Sequence, residues 1–304
     1  MFILSKHSHQ NPALESLTVS NETANFKVRI YPNLGASLQE FIKDNIEIIN
    51  GITNDEAGLE TYKNSYNSAW LFPFPNRISN GNYTFENKNY QLDINEEALH
   101  NALHGFICHK QFKLMEEKTT KHSVFLRFKH TYLGALAGYP FPFELEISYR
   151  IALSNIEMTI EAKNTGDSKM PFGMGWHPYF KSNKLSESVL NLDGFAQYEV
   201  NDNMIPTKEI KLAHQLPLRL RETFLDDCFI SKTATISYKT RNYNLKIEFE
   251  PASNKNFIQC YTPPTRDSIA IEPMTCAPDV FNNGHGLLTL KPNETYRWNI
   301  SMSI

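Results

Sequence analysis

The sequence predicts an all-β protein, a large antiparallel β-sandwich, and three observations carry that prediction. Apolar and polar residues alternate with period two in segment after segment, as strands with one buried and one wetted face require. Helical periodicity is scarce, with a single short stretch at residues 55–62 that suits a helix. Tyr296, Trp298, Ile300, Met302 and Ile304 alternate too regularly for a C-terminal tail and belong inside a sheet. Many strands at short intervals favour stacked antiparallel sheets.

Taken in order, Phe26, Val28 and Ile30 alternate with Lys27 and Arg29. Phe41-Ile42 and residues 46–49 flank Lys43-Asp44-Asn45, a turn by composition. Tyr83-Thr84-Phe85 and Tyr90-Gln91-Leu92 enclose Glu86-Asn87-Lys88-Asn89, the pattern of a hairpin. Phe143, Leu145, Ile147, Tyr149 and Ile151 alternate with Glu144, Glu146, Ser148 and Arg150 without a break. Ile156-Glu157-Met158-Thr159-Ile160 follows and stops at Asn164-Thr165-Gly166-Asp167. Tyr243, Leu245, Ile247 and Phe249 repeat the alternation. In Ser268-Ile269-Ala270-Ile271-Glu272-Pro273-Met274-Thr275 the isoleucines share one face, and small Ala270 leaves room beside Glu272 on the other. Pro273 biases Glu272 towards an extended backbone and is expected to end the ladder there. A carboxylate held at a strand end suits a general base; a surface glutamate beside a turn fits the same pattern.

With 304 residues the chain can bury a large core, and one domain over residues 1–304 is expected. A formal net charge of −3 points to neither nucleic acid nor an anionic membrane as partner. No apolar run approaches the roughly 18 residues that span a bilayer. Met1-Phe2-Ile3-Leu4-Ser5-Lys6-His7 lacks the basic start and long apolar stretch of a signal peptide, so a cytoplasmic location is expected. The four cysteines, Cys108, Cys228, Cys260 and Cys276, form no CxxC pair and read as small buried apolar residues.

Four places break the alternation. Leu71-Phe72-Pro73-Phe74-Pro75-Asn76-Arg77 stiffens the approach to Arg77, whose planar fork holds two acceptor oxygens at once. An exposed arginine before a hairpin is the plainer alternative. His100 and His104 stand four apart, the spacing of metal ligands on a helix, but Gly105 argues against a helix. A loop histidine meeting a polar ligand suits His104 better. Gly173-Met174-Gly175-Trp176-His177-Pro178-Tyr179-Phe180 surrounds His177 with aromatic walls, and an imidazole exchanges protons near neutrality. Asp226-Asp227 is either a solvated turn or the home of a buried carboxylate that accepts from hydroxyls. There is no GxSxG, P-loop or GxGxxG before a helix, the usual markers of acyl transfer and nucleotide chemistry.

Together these segments resemble the aldose 1-epimerase (galactose mutarotase) family. The matching residues are Asn76-Arg77-Ile78 with Gly81 and Tyr83, Leu103-His104-Gly105, His177-Pro178-Tyr179-Phe180, Asp226 with Phe229, Glu272-Pro273 and Pro278-Asp279. The closing Leu290-Lys291-Pro292-Asn293-Glu294-Thr295 also fits, with Asn where the family commonly has Gly. Order and spacing match over most of the chain. The resemblance implies a galactose mutarotase-like supersandwich that interconverts the anomers of a free hexose. It makes Glu272 the general base and His177 the general acid, with Arg77, His104, Asp226 and Asn76 binding the sugar. It implies no metal or other cofactor, a monosaccharide as the only ligand, and a monomer or homodimer. Glu272-Pro273-Met274-Thr275 departs from the best-known mutarotases, which bears on the substrate more than the reaction. A hexose-6-phosphate 1-epimerase, a non-catalytic sugar-binding module and a glycosidase pairing Glu272 with Asp226 are the competing readings.

Overall fold

Alternation in the sequence becomes burial in the long strands. In the computed structural model, which describes residues 1–304, Phe143–Ala152 buries every odd-numbered position and turns the even ones outward. This strand lies in an antiparallel run with Ser123–Tyr132 and Asn155–Asn164. Thr295–Ser303, the C-terminal strand, pairs with Asn155–Asn164 on one side and Asn244–Phe249 on the other. It is interior to the sheet, as its alternation requires. In all, twenty strands join one continuous sheet, and three two-stranded ribbons are added to it. The fold is all-β and antiparallel. Its main hydrophobic core gathers 64 buried side chains, with Trp70, Trp176 and Trp298 fully enclosed.

The helix Glu56–Ser65 runs three residues further than its sequence pattern indicates. Asp55 Oδ1 accepts from the Gly58 N–H at 2.8 Å to cap its start, and Tyr66 ends it in the left-handed region at φ 52°. No helix is long and apolar enough to cross a membrane. All four cysteines are buried free thiols. The hairpin at residues 82–91 turns at Glu86 and Asn87, a tighter loop than the four residues its composition suggested.

One expectation fails. Pro273 does not end its strand: Ser268–Met274 continues through it, and all seven residues are buried. The missing N–H explains why this is tolerated. Along this strand Ile271 and Thr275 donate towards the 174–178 segment, to Pro178 and Met174 respectively, so residue 273 faces the same side. That neighbouring chain breaks there between Gly175–His177 and Tyr179–Lys181. The proline therefore stands where the ladder has a gap, and no hydrogen bond is forfeited.

A candidate acid–base site

Strand register builds the floor of the site. Gln259 stands opposite Glu272, while Tyr261 stands opposite both Ala270 and Asp226. Tyr179 flanks Ala270 from the other side. Because side chains alternate with period two, Glu272, Ala270, Gln259, Tyr261, Asp226 and Tyr179 all point to one face. Asp227 takes the other face and accepts from Gln197 at 2.8 Å, so Asp226 is the member of the pair that reaches the cavity.

Loops close over this floor. Asn76 and His104 both hold left-handed backbone, at φ 57° and 62°. Each fixes the other: the Asn76 N–H donates to His104 Nδ1 at 3.1 Å, and the His104 N–H donates to the Asn76 carbonyl at 2.9 Å. With Nδ1 accepting, a neutral His104 carries its proton on Nε2, as a donor. Burial and its neighbours His177 and Arg77 push its pKa well down, which keeps it neutral. Asn76 Oδ1 accepts from the Arg77 N–H at 2.9 Å. Asp279 pins the same segment, donating its N–H to the Arg77 carbonyl at 2.7 Å and accepting from the Ser79 N–H at 2.9 Å.

The resulting cavity, of about 620 Å³, is lined by Asn76, Arg77, His104, His177, Asp226 and Glu272 together. Residues spread over nearly two hundred positions of chain thus meet in one place. At its floor His177 Nε2 lies 3.4 Å from Glu272 Oε1, with the two residues 6% and 1% exposed. His177 Nδ1 and Glu272 Oε2 are buried without partners. Orphaned polar atoms of this kind are rare in folded proteins and mark places where a ligand completes the bonding. Four rings line one wall in sequence: Tyr66 to His104 at 4.7 Å, His104 to His177 at 5.1 Å, and His177 stacked on Tyr179 at 5.1 Å.

A family model described as aldose 1-epimerase matches residues 15–303. The chain belongs to the aldose 1-epimerase family. It is 30% identical to the uncharacterized protein YihR of Escherichia coli strain K12 over 243 residues, 75% of each chain. It is 25% identical to the galactose mutarotase of Homo sapiens over 161 residues, 51% of this chain and 45% of that one. A galactose mutarotase-like protein from Clostridium acetobutylicum superposes with a TM-score of 0.88 at 17% identity, covering 99% of this chain and 98% of its own. That likeness shows the mutarotase-like fold.

Protonation in the candidate site of this family member departs from what isolated side chains indicate. Burial lowers His177 to about 4, so the imidazole is neutral at pH 7. Burial also raises Glu272 well above the carboxylate range, with Asp226 adding to the rise and Arg77 opposing it. An ionised glutamate beside an imidazolium is therefore not the resting form. When the pair holds a single proton, that proton sits on the glutamate and not on the imidazole, because desolvating two charges costs more than their attraction returns. Asp226 is also raised by the protein packed behind it, although its side chain opens to the cavity, and Gln259 donates to it at 2.7 Å.

Arg77 points its fork at a partner that sequence reasoning did not find. Its Nε and Nη2 both donate to Glu96, each with a contact of 2.9 Å, so the guanidinium is charge-compensated within the wall. Gln259, Tyr66 and Asn67 were missed as well. Alternation alone places Gln259 and Tyr261 on one face, but nothing local says which strand lies beside Glu272. Gly105 carries the loop. At φ 65°, an added Cβ would stand 2.2 Å from the Phe72 carbonyl oxygen, which already accepts from Phe106 and Ile107. Gly105→Ala is expected to destabilise by more than about 2 kcal/mol, the left-handed penalty plus the backbone clash. Thermal denaturation with parallel activity checks this, and an unchanged melting temperature would contradict it.

Proposed function

We propose that this member of the family is an aldose 1-epimerase for an unphosphorylated hexose such as glucose or galactose, with Glu272 as general base and His177 as general acid. The observation that carries the reading is the buried acid–base pair 3.4 Å apart. The two sugar oxygens that exchange protons, O1 and the ring oxygen O5, are bonded to the same carbon. Only a closely spaced pair can serve both.

The steps follow from the pair. Glu272 takes the proton of the O1 hydroxyl as the C1–O5 bond breaks. The bonding electrons go to O5, which takes a proton from His177 Nε2, and C1=O1 forms. The open aldehyde rotates about C1–C2, and the reverse steps close the other anomer. During opening the pair passes from carboxylate plus imidazolium to carboxylic acid plus imidazole, so its proton count is unchanged. Burial favours the neutral form and therefore pushes the proton onto the ring oxygen. His104, Asp226, Arg77 and Asn76 supply donors and acceptors for the remaining hydroxyls.

The charge of the lining favours a neutral sugar over a phosphate. Asp226 and Asp267 face the cavity with no cation set against them, because Glu96 already neutralises Arg77, the single Lys or Arg side chain of the lining. Lys63, Lys110 and Arg266, the cations that could have served a phosphate, are not in the lining. Anomer interconversion of α-D-glucose, α-D-galactose and glucose 6-phosphate, followed by NMR and corrected for the spontaneous rate, tests this. We expect kcat/KM for the free hexoses to exceed that for the phosphate by at least about tenfold, since one unpaired like-charge contact costs that much. The reverse order would favour the phosphate reading. Calorimetric binding without rate enhancement would favour a non-catalytic module.

A further inference from the structure

Arg77, the single Lys or Arg side chain of the cavity lining, is gripped along one edge. Its Nε donates to Glu96 Oε1 at 3.1 Å and to Oε2 at 2.9 Å, while Nη2 donates to Oε1 at 2.9 Å. Nη1 is left outside the grip and reaches Asn76 Oδ1 only at 3.5 Å. Glu96 is itself fixed by Asn101. Its Oε2 accepts from Asn101 Nδ2 at 2.9 Å, its N–H donates to the Asn101 carbonyl at 3.1 Å, and its carbonyl accepts from the Asn101 N–H at 3.2 Å. Asn101 is 1% exposed and begins the strand Asn101–Leu103, which pairs with Arg77–Ser79. Carboxylate and guanidinium are thus tied to one small ribbon, with side chains only 15% and 12% exposed. Water screens so enclosed a pair poorly, and its charges reach their neighbours.

Glu272 is sensitive to that pair because little else near it is charged. Burial pushes up the thiols of Cys228, Cys260 and Cys276 and the phenols of Tyr179 and Tyr261, which keeps them uncharged at neutral pH. His104 and His177 are pushed down and are neutral too. Asp227 turns to the far side of the floor. Charge in the cavity therefore comes from Asp226, Asp267 and the Arg77–Glu96 pair. Asp226 helps to hold the proton on Glu272, and Arg77 pulls it off. On Asp226 the two partners also act in opposite senses, Arg77 lowering its pKa and Glu96 raising it. A guanidinium without its carboxylate would tip this balance and favour the ionised form of Glu272.

We infer that Glu96 is a positioning residue for the acid–base pair, acting through Arg77: its grip leaves Nη1 for the ligand and cancels the charge that would otherwise strip the proton from Glu272. The role rests on the epimerase reading above, since a pair that moves protons on and off a sugar must keep one of its own. Its physical content, a cancelled charge beside Glu272, is measurable without any sugar.

The test follows the carboxylic acid C=O band of Glu272 against pH by infrared spectroscopy, the band being the one that Glu272→Gln deletes. Its midpoint is expected to fall by about one pH unit in Glu96→Gln, the order of one uncancelled charge across a cavity of this size. Glu96→Asp keeps the charge and should hold the midpoint within about 0.3 of the wild type. Arg77→Gln/Glu96→Gln removes both charges and should restore it to the same range. Equal midpoints in Glu96→Gln and Glu96→Asp are what a merely structural role predicts, and that result overturns the inference. So does a double variant as low as Glu96→Gln. Should Glu96→Gln fail to fold, the same leg of the cycle runs from Arg77→Gln to the double variant. Removal of Glu96 must lower the midpoint there by about one unit, and no change overturns the inference. In hexose anomerisation the alkaline limb of kcat should move down with the midpoint in Glu96→Gln; a limb that stays put overturns the positioning role. Turnover of no hexose by the wild type overturns the epimerase reading instead, and the infrared midpoints still decide the cancelled charge.

Discussion

Glu272→Gln is expected to lower kcat/KM for hexose anomerisation by roughly 10²–10⁴ and, at neutral pH, to raise thermal stability. The amide keeps the shape of the side chain but cannot accept the O1 proton. The stability gain comes from the burial that makes the residue reactive. Glu272 is 1% exposed, and its pKa is raised well above 4.5 in the folded chain. Below pH 4.5 the carboxyl is protonated whether folded or unfolded, and burial of the neutral acid carries little penalty. As pH rises the unfolded carboxyl ionises and gains hydration that the folded one is denied, so wild-type stability falls until the folded pKa is passed. An amide has no such loss. The melting-temperature difference between variant and wild type should therefore open above pH 4.5 and widen towards neutrality. A gap that is flat with pH, or a folded variant with near-wild-type rate, would contradict the role.

His177→Asn is expected to cost a similar factor in rate, about 10²–10⁴, and to change the shape of the pH profile. In the wild type the pair works with one shared proton. Activity should fall on the acid side near pH 4, where His177 takes a second proton beside the protonated Glu272, and on the alkaline side as Glu272 gives up the shared one. Isolated side chains would assign those limbs the other way round. Without His177 the residual rate depends on ionised Glu272 alone, so the bell becomes a curve that rises through the raised pKa of the glutamate. Stability follows in the opposite sense to Glu272. With a folded pKa lowered to about 4, His177 contributes stability that is whole above pH 6.5 and lost as pH falls through about 4. The asparagine variant should lose less stability over that interval. Polarimetry across pH and paired denaturation curves check both statements, and a bell retained in the variant would sink the assignment.

Much of the fold was legible because burial in a sheet leaves a period-two record in the chain. Phe143–Ala152 and Thr295–Ser303 bury alternate positions where the alternation says they must. Pro273 was misjudged for the complementary reason. Whether a proline ends a ladder depends on whether a donor is needed on that side, and the gap between Gly175–His177 and Tyr179–Lys181 is not written near residue 273. Arg77, His104, His177, Glu272 and the Asp226-Asp227 pair were singled out by breaks in pattern, the family resemblance added Asn76 and chose Asp226, and the fold brings all six chosen residues to one cavity. Glu96, Gln259 and Asn67 left no such mark, because their part depends on neighbours distant in sequence.

By itself, then, the sequence determined the architecture and the cast of chemically unusual side chains. Both are local properties, recorded in periodicity and in the placement of proline, glycine, histidine and acid. Tertiary structure alone decided the rest: the 3.4 Å approach of His177 to Glu272, the pairing of Arg77 with Glu96 and the burial that shifts both members of the acid–base pair. Those depend on distance and desolvation, which exist only once segments far apart in the chain have packed against one another.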